Sequence, residues 1–230
     1  MTRHVLPLIL ATGLMFSPAA AAHPDLMAQI ERLDQQLQAE PDNVELLLRR
    51  GDLHRRHQDY AAAIRDFAAA RVLAADCAQL DFLEGRLALE LGDYRTAATL
   101  LDRYLTLHPN DAVGWRLRGE SALGLGEPSA PADFQRAIDT SQAPSPDLYR
   151  QWILALVANQ DATGALDAVD AGLARFGPEV TLLGLGTDLA LAQGDKQRAQ
   201  AYLDRLPAGL ERLAPWSGRQ RALSDPARAP

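Results

Sequence analysis

Residues 85–104 read Gly-Arg-Leu-Ala-Leu-Glu-Leu-Gly-Asp-Tyr-Arg-Thr-Ala-Ala-Thr-Leu-Leu-Asp-Arg-Tyr. The Gly92-Asp93 pair suits a tight reversal: glycine tolerates the backbone geometry, and the aspartate accepts from the free N–H groups that open the next helix. Beyond it, Ala97, Leu101 and Tyr104 fall at helical spacing, and Pro109 closes the segment. One stretch therefore predicts a helix, a turn and a second helix.

The same pattern returns on both sides. Gly51, Gly85 and Gly119 stand 34 residues apart, and Gly51 is followed by Asp59-Tyr60, Ala63, Phe67 and Ala70. A third copy has Trp115 and Gly119, turns at Gly126-Glu127-Pro128, and continues Ala130, Phe134, Ala137, which fits if the turn has lost one residue. A fourth carries Tyr149, Gln160-Asp161, Ala165, Val169 and Gly172, with Ile153 in the place of the first glycine. The fifth shows Leu183, Gly194-Asp195, Ala199 and Leu203. Glycine at the eighth position and alanine at the twentieth let two helices approach closely, while Phe67, Leu101 and Phe134 fill the space toward the following hairpin. Helix B of the first copy is expected near 61–74, with Ile64, Phe67, Ala68 and Val72 as its apolar positions.

A 34-residue period of this composition resembles the tetratricopeptide repeat (TPR) family. The resemblance implies an all-α, right-handed superhelical solenoid of helix–turn–helix units, about five here. It assigns 44–206 to the repeats, as units of about 44–77, 78–111, 112–145, 146–179 and 180–206. Residues 23–43 hold one more amphipathic helix, with Leu26, Ile30, Leu33 and Leu37 on one face, read as an N-terminal cap. Residues 207–230 are rich in Pro and Gly and are read as a partly disordered tail, with Leu210 to Leu213 and Trp216 able to pack on the last repeat.

Residues 1–22 have the three parts of a secretory signal peptide: Arg3 and His4, an uncharged run from Val5 to Phe16, then Ser17-Pro18 and four alanines. The apolar run falls short of the roughly 20 residues a membrane-spanning helix needs. Cleavage after Ala22 or Ala21 would release a mature chain with no membrane span, periplasmic or secreted.

Composition narrows the function. Of 230 residues 47% are hydrophobic and 6% aromatic, and a net charge of −7 argues against nucleic acid as a partner. A lone cysteine, Cys77, excludes an internal disulfide and a thiolate zinc site. His54 and His57 lie three apart on a helix without further metal ligands, and a copper site at His23 would need a second histidine that the sequence does not assign. Ser121, Ser129 and Ser141 have no evident base and no G-x-S-x-G context, and Gly124-Leu125-Gly126 matches no phosphate loop. The chain thus reads as a non-enzyme without cofactor or metal.

In TPR proteins the first helix of each unit lines the concave side of the solenoid, with positions 2, 5, 9 and 12 facing it. That implies a partner site of Leu48, Asp52 and Arg55; Phe82, Arg86 and Leu89; Arg116, Glu120 and Leu123; and Arg150 with Leu154. Arginine forks bind carboxylates well, so Arg86, Arg116 and Arg150 point to an acidic or carboxylate-terminated peptide. The competing reading pairs these arginines with Glu120, Asp52 and their neighbours as a solvated surface. The Lys/Asn set of the family's chaperone-binding clamp is not present. The resulting expectation is an exported TPR scaffold or adaptor, in a setting such as envelope complex assembly. The alternative is an envelope protein that binds a small ligand or metal.

Overall fold

A computed structural model describes residues 24–224 of the chain, and every described element is helical. Five hairpins run α2 (Val44–Arg56) and α3 (Tyr60–Leu73), α4 (Ala78–Glu90) and α5 (Tyr94–Leu107), α6 (Ala112–Leu125) and α7 (Ala130–Thr140), α8 (Pro146–Ala158) and α9 (Ala162–Phe176), and α10 (Val180–Ala192) and α11 (Lys196–Leu203). Helix α1 (Pro24–Ala39) precedes them; a 3-10 turn (Leu210–Arg212) and α12 (Ala214–Ser224) follow. The chain divides into two compact units at Ala70/Arg71, within α3. The segment read as an export signal lies outside the described residues, as does the extreme C-terminus from 225 onward.

The 34-residue period is visible in the backbone itself. Gln58, Gly92, Gly126, Gln160 and Gly194 all adopt left-handed φ, between 61° and 76°, each one period from the last. The residue after each turn caps the second helix: Asp59 accepts from the Ala62 N–H (3.0 Å), Asp93 from Thr96 (3.2 Å), Asp161 from Gly164 (2.8 Å) and Asp195 from Arg198 (2.9 Å). The third hairpin departs from this. Glu127 occupies the capping register, α7 starts at Ala130 behind Ser129, and the Ser129 side chain makes no cap bond. One residue is lost there, as the spacing of Ala130 and Phe134 requires.

Inside the first compact unit α1 packs on α2 and buries Leu26, Ile30, Leu33 and Leu37. Gly51 of α2 lies against Phe67 of α3, whose ring is 1% exposed. Helix α3 buries Ala62, Ala63, Asp66, Phe67 and Ala70. The apolar face expected from Ile64, Ala68 and Val72 is therefore corrected: Ile64 is half exposed and Val72 almost fully so. The small side chains decide the orientation, because helix A can come close only to the alanine side of α3.

In the second compact unit each A helix packs on its own B helix, and from α6 onward also on the preceding one: α4 with α5, α5 with α6, α6 with α7, and so on to α11. Leu101 and Phe134, both 0% exposed, lie against Gly85 and Gly119. The fourth hairpin inverts the size pattern. Ile153 replaces the glycine, the shorter Val169 faces it in the core, and both are fully buried. Core volume is conserved although the consensus residues are not. After α11, part of the stretch read as a tail is ordered. Trp216 of α12 is 6% exposed, rests near Gly184 of α10, and is followed one turn later by Arg219, which holds both Asp188 oxygens (2.7 and 2.5 Å). Pro207 and Gly209 end α11 without preventing a further helix from covering α10.

Candidate protein-interaction site

Within the second compact unit the A helices are neighbours, α4 beside α6, α6 beside α8, and α8 beside α10. Their glycine face turns to the B helices, so positions 5, 9 and 12 lie to one side of the packed seam. Three levels result. Phe82, Arg116 and Arg150 share the fifth position of successive repeats; Arg86, Glu120 and Leu154 share the ninth; Leu89 and Leu123 share the twelfth. Arg86 thus sits one helical turn from the level of the other two arginines.

All three guanidinium groups are at hand. Their side chains are 39%, 32% and 38% exposed for Arg86, Arg116 and Arg150. Each meets a carboxylate on its own helix. Arg86 reaches Glu90 at 3.9 Å, Arg116 bonds Glu120, and Arg150 donates twice to Asp147 Oδ1 at 2.9 and 2.6 Å. Exposed pairs three or four apart on one helix are worth about 0.5 kcal/mol or less. A ligand carboxylate can therefore replace the Arg116 and Arg150 pairs at small cost. Glu120 also accepts from Gln151 Nε2 of α8 at 3.3 Å, joining α6 to α8, while Gln151 Oε1 is buried with no hydrogen-bond partner. Gln151 was not singled out in the sequence; its place, one residue after Arg150, gave no periodic signal.

The apolar members of the expected site belong mainly to the packing. Phe82 and Leu89 rest on the cluster of Ala97, Leu101 and Leu117, and Leu123 on that of Phe134 and Ala137. Phe82 also stacks on Tyr104, with ring centroids 4.9 Å apart. Tyr104 in turn donates to Asp111 (2.5 Å), and burial followed by that bond holds its phenol well above the ordinary range.

In the first compact unit the expectation needs correction. Leu48 is 6% and Arg55 4% exposed. Arg55 turns inward and folds back on Asp52, donating from Nε (2.9 Å) and Nη2 (2.8 Å). Asp52 alone of the three keeps an accessible edge. Of the histidines, His54 is half-buried with Nδ1 4.0 Å from Asp59. Among the described residues no three His, Cys, Asp or Glu side chains are grouped to hold a metal ion, and no helix is long and apolar enough to cross a membrane.

Comparison with known proteins agrees with the helical hairpins. No curated protein matches the chain. Among solved structures, PilW, described as a widely conserved type IV pilus biogenesis factor, superposes with a TM-score of 0.67 at 18% identity, over 84% of this chain and 90% of that one. YrrB, described as a TPR protein with an unusual peptide-binding site, gives 0.65 at 14%, over 76% and 91%. Pseudomonas aeruginosa pilF gives 0.62 at 18%, over 86% and 90%. The tetratricopeptide repeat family itself matches residues 16–77 and 82–146, more than half of the chain, and the protein belongs to that family.

Proposed function

We propose that this protein is an exported TPR adaptor that binds an acidic or carboxylate-terminated segment of a partner protein on the A-helix face of α4, α6 and α8. The supporting observation is the set of three accessible arginines, Arg86, Arg116 and Arg150, of which Arg116 and Arg150 are engaged by same-helix pairs that a ligand carboxylate can displace. Phe82, Leu89 and Leu123, half-buried beside them, supply apolar flanks without needing to move. The protein acts by holding partners rather than by catalysis. The pattern of residues 1–22 supports export to the periplasm or beyond, and the likeness to a pilus biogenesis factor makes envelope assembly the first setting to test.

The experiment is a pull-down from periplasmic extract with the wild-type chain and the triple variant Arg86→Glu/Arg116→Glu/Arg150→Glu, with helicity checked by circular dichroism. The variant is expected to lose the partner. Undiminished recovery by a folded variant would remove this face from consideration. Intact mass of the exported protein tests the address: loss of the first 21 or 22 residues is expected, and retention of them refutes export by a cleaved signal.

A further inference from the structure

Position seven of the first four repeats, just before the helix-A glycine position, is filled by Arg50, Glu84, Arg118 and Trp152. It lies two residues, or about 160° round the helix, from position nine, and so opens on the other side of the A helix from the arginine face. In the first and third repeats it carries an arginine that bridges the helices before and after it. Arg50 donates to Asp34 of α1 (2.7 Å) and to Asp66 of α3 (2.9 and 2.6 Å). Arg118 repeats this two periods later, with Asp102 of α5 and Asp133 of α7. Glu84 reverses the sign and accepts from Arg71, beside Asp81, which takes both Arg71 and Arg103.

The fourth repeat breaks the series. Trp152 has no charge to offer, and among the described residues no ion pair joins α7 to α9. The consequence is visible by comparing the same place one repeat apart. Between α5 and α7 the recess above Arg118 holds about 160 Å³ and is walled by Arg95, Asp102 and Glu127. Between α7 and α9 it opens to about 470 Å³. There Trp152 stands for Arg118, Gln135 for Asp102 and Pro128 for Arg95, with Leu156 and Pro131 completing an apolar floor. The indole N–H of Trp152 has no acceptor among the described residues, whereas that of Trp115 is satisfied by Pro109 O at 2.8 Å.

The rim has one sign. Asp161 and Asp167 line it and no basic residue does. Asp161 caps α9 through Gly164, and Asp167, 69% exposed, meets Arg198 from outside the cleft at 3.2 Å. An aromatic side chain lining a cleft together with carboxylates is complementary to a cation, which gains from the ring quadrupole and from the rim charges together.

We propose that this cleft is a second docking site, separate from the arginine face, for a partner-protein segment that lays an arginine or lysine over Trp152 with Asp161 and Asp167 at its rim. Basic and acidic partner segments would then engage opposite sides of helix α8. The proposal stands whether or not the arginine face binds a carboxylate, because the two sites share no residue.

The test is a titration of the ¹⁵N-labelled full chain, followed by NMR, with acetyl-Leu-Arg-Leu-amide and, as the control, acetyl-Leu-Glu-Leu-amide. The Trp152 indole signal is assigned with Trp152→Phe. The arginine peptide is expected to move that signal and the Gly164 amide, and the glutamate peptide to leave both in place. Asp161→Asn/Asp167→Asn, which keeps a capping side chain at 161, weakens the response about fivefold or more. Trp152→Arg/Gln135→Asp restores the half of the preceding repeat's bridge that Asp102 supplies, removes the indole and abolishes the Gly164 response. The proposal is overturned if up to about 10 mM arginine peptide moves no Trp152 signal, if both peptides act alike, or if the shifts centre on Arg116 and Arg150. A Trp152 shift that grows with protein concentration and without peptide would make a second copy the occupant and equally overturn it.

Discussion

Gly51→Ala places a methyl group where helix A of the first repeat meets its partner, and the geometry fixes the outcome. A Cβ on Gly51 would stand 2.4 Å from Cε1 and 2.8 Å from Cδ1 of Phe67, a ring that is 1% exposed and has nowhere to turn. Alanine gains about 1 kcal/mol over glycine inside a helix, whereas forcing a methyl into a packed core costs about 1–3 kcal/mol. At Gly51 the approach is the closest of the three, which puts the clash in the upper part of that range and leaves a net loss of about 1–2 kcal/mol. The equivalent glycines are progressively less crowded. A Cβ on Gly85 would lie 3.1 Å from Leu101 Cγ, and one on Gly119 3.3 Å from Asp133 Cβ and the Phe134 ring. Gly85→Ala should therefore be close to neutral, and Gly119→Ala neutral or stabilising by up to about 1 kcal/mol. Thermal unfolding followed by far-UV circular dichroism should rank the midpoints Gly119→Ala, Gly85→Ala, Gly51→Ala from highest to lowest. The last should fall roughly 2–8 °C below the wild type. Adding Phe67→Leu to Gly51→Ala should couple favourably, since the smaller side chain relieves the overlap. The reverse ranking, or a neutral Gly51→Ala, would refute the argument that the periodic glycines are there for close helix approach.

Two more expectations concern the turns and the last hairpin. Gln58 (φ 64°) and Gln160 (φ 61°) hold a conformation that glycine adopts at Gly92, Gly126 and Gly194. Gln58→Gly and Gln160→Gly should each raise the unfolding midpoint by about 0.5–1 kcal/mol equivalent in urea titration, and any destabilisation would contradict the strain. Tyr202 is 2% exposed and donates to Asp170 at 2.8 Å. Burial first, then that bond, outweighs the opposing bond from Arg198 and pushes its phenol up to about 12. A folded-state value above the unfolded one, about 10, means stability present below pH 10 that is lost as pH rises toward 12. Tyr202→Phe should cost about 1 kcal/mol at pH 7 and lessen the fall in thermal midpoint between pH 10 and 12, leaving the decline that Tyr104, whose phenol is also raised, still imposes. An unchanged alkaline slope would show that Tyr202 does not carry it.

The hairpins were legible because their cause is local and repeated. Gly92-Asp93 and Gly194-Asp195 announce a turn and a cap by residue type alone, and the register they set carries over to Gln58 and Gln160, where residue type says little. The orientation of α3 was not legible. Ile64, Ala68 and Val72 have helical spacing and apolar character, but burial on α3 follows the small residues Ala63 and Ala70, which periodicity counts weakly. The inward turn of Leu48 and Arg55 was missed for a related reason. Positional analogy with other repeats assigns a direction, whereas Arg55 folds onto Asp52, three residues back on its own helix. Helix α12 was hidden by Pro207, Gly209 and Pro215, which mark where helices break but not whether another begins. Trp216 was the informative residue there. So large a side chain is seldom left uncovered, and Gly184 provides the room it needs.

The ion bridges at position seven explain more about order than about stability. Asp133 shows the balance: burial raises its carboxyl, Arg118 pulls it back only in part, and its Oδ2 is left without a hydrogen-bond partner. Burial alone would depress Arg118, and the combined pull of Asp133 and Asp102 more than offsets it. Bridges of this kind contribute little net energy after desolvation, but a mismatched one is costly. Their signs are arranged so that mismatch is easy to produce. Arg50 and Arg118 need acidic residues on the B helices before and after them, whereas Asp81 and Glu84 need basic ones. A slip by one repeat would therefore set arginine against Arg71 or Arg103 and a carboxylate against Asp102. Within each compact unit the charges favour one order of helices over its slipped alternatives, in a fold where the apolar residues of successive repeats are nearly interchangeable. The same logic places α1, since Asp34 stands to Arg50 as Asp102 stands to Arg118, sixteen residues apart in both cases. Helix α1 therefore serves α2 as the B helix of a preceding repeat would. It also accounts for why the seam could be given up at Trp152. By the fourth repeat the pairing on either side is already fixed, by Arg118 below and by Arg198 with Asp167 and Asp170 above, so position seven is free to hold an apolar side chain and leave a cleft.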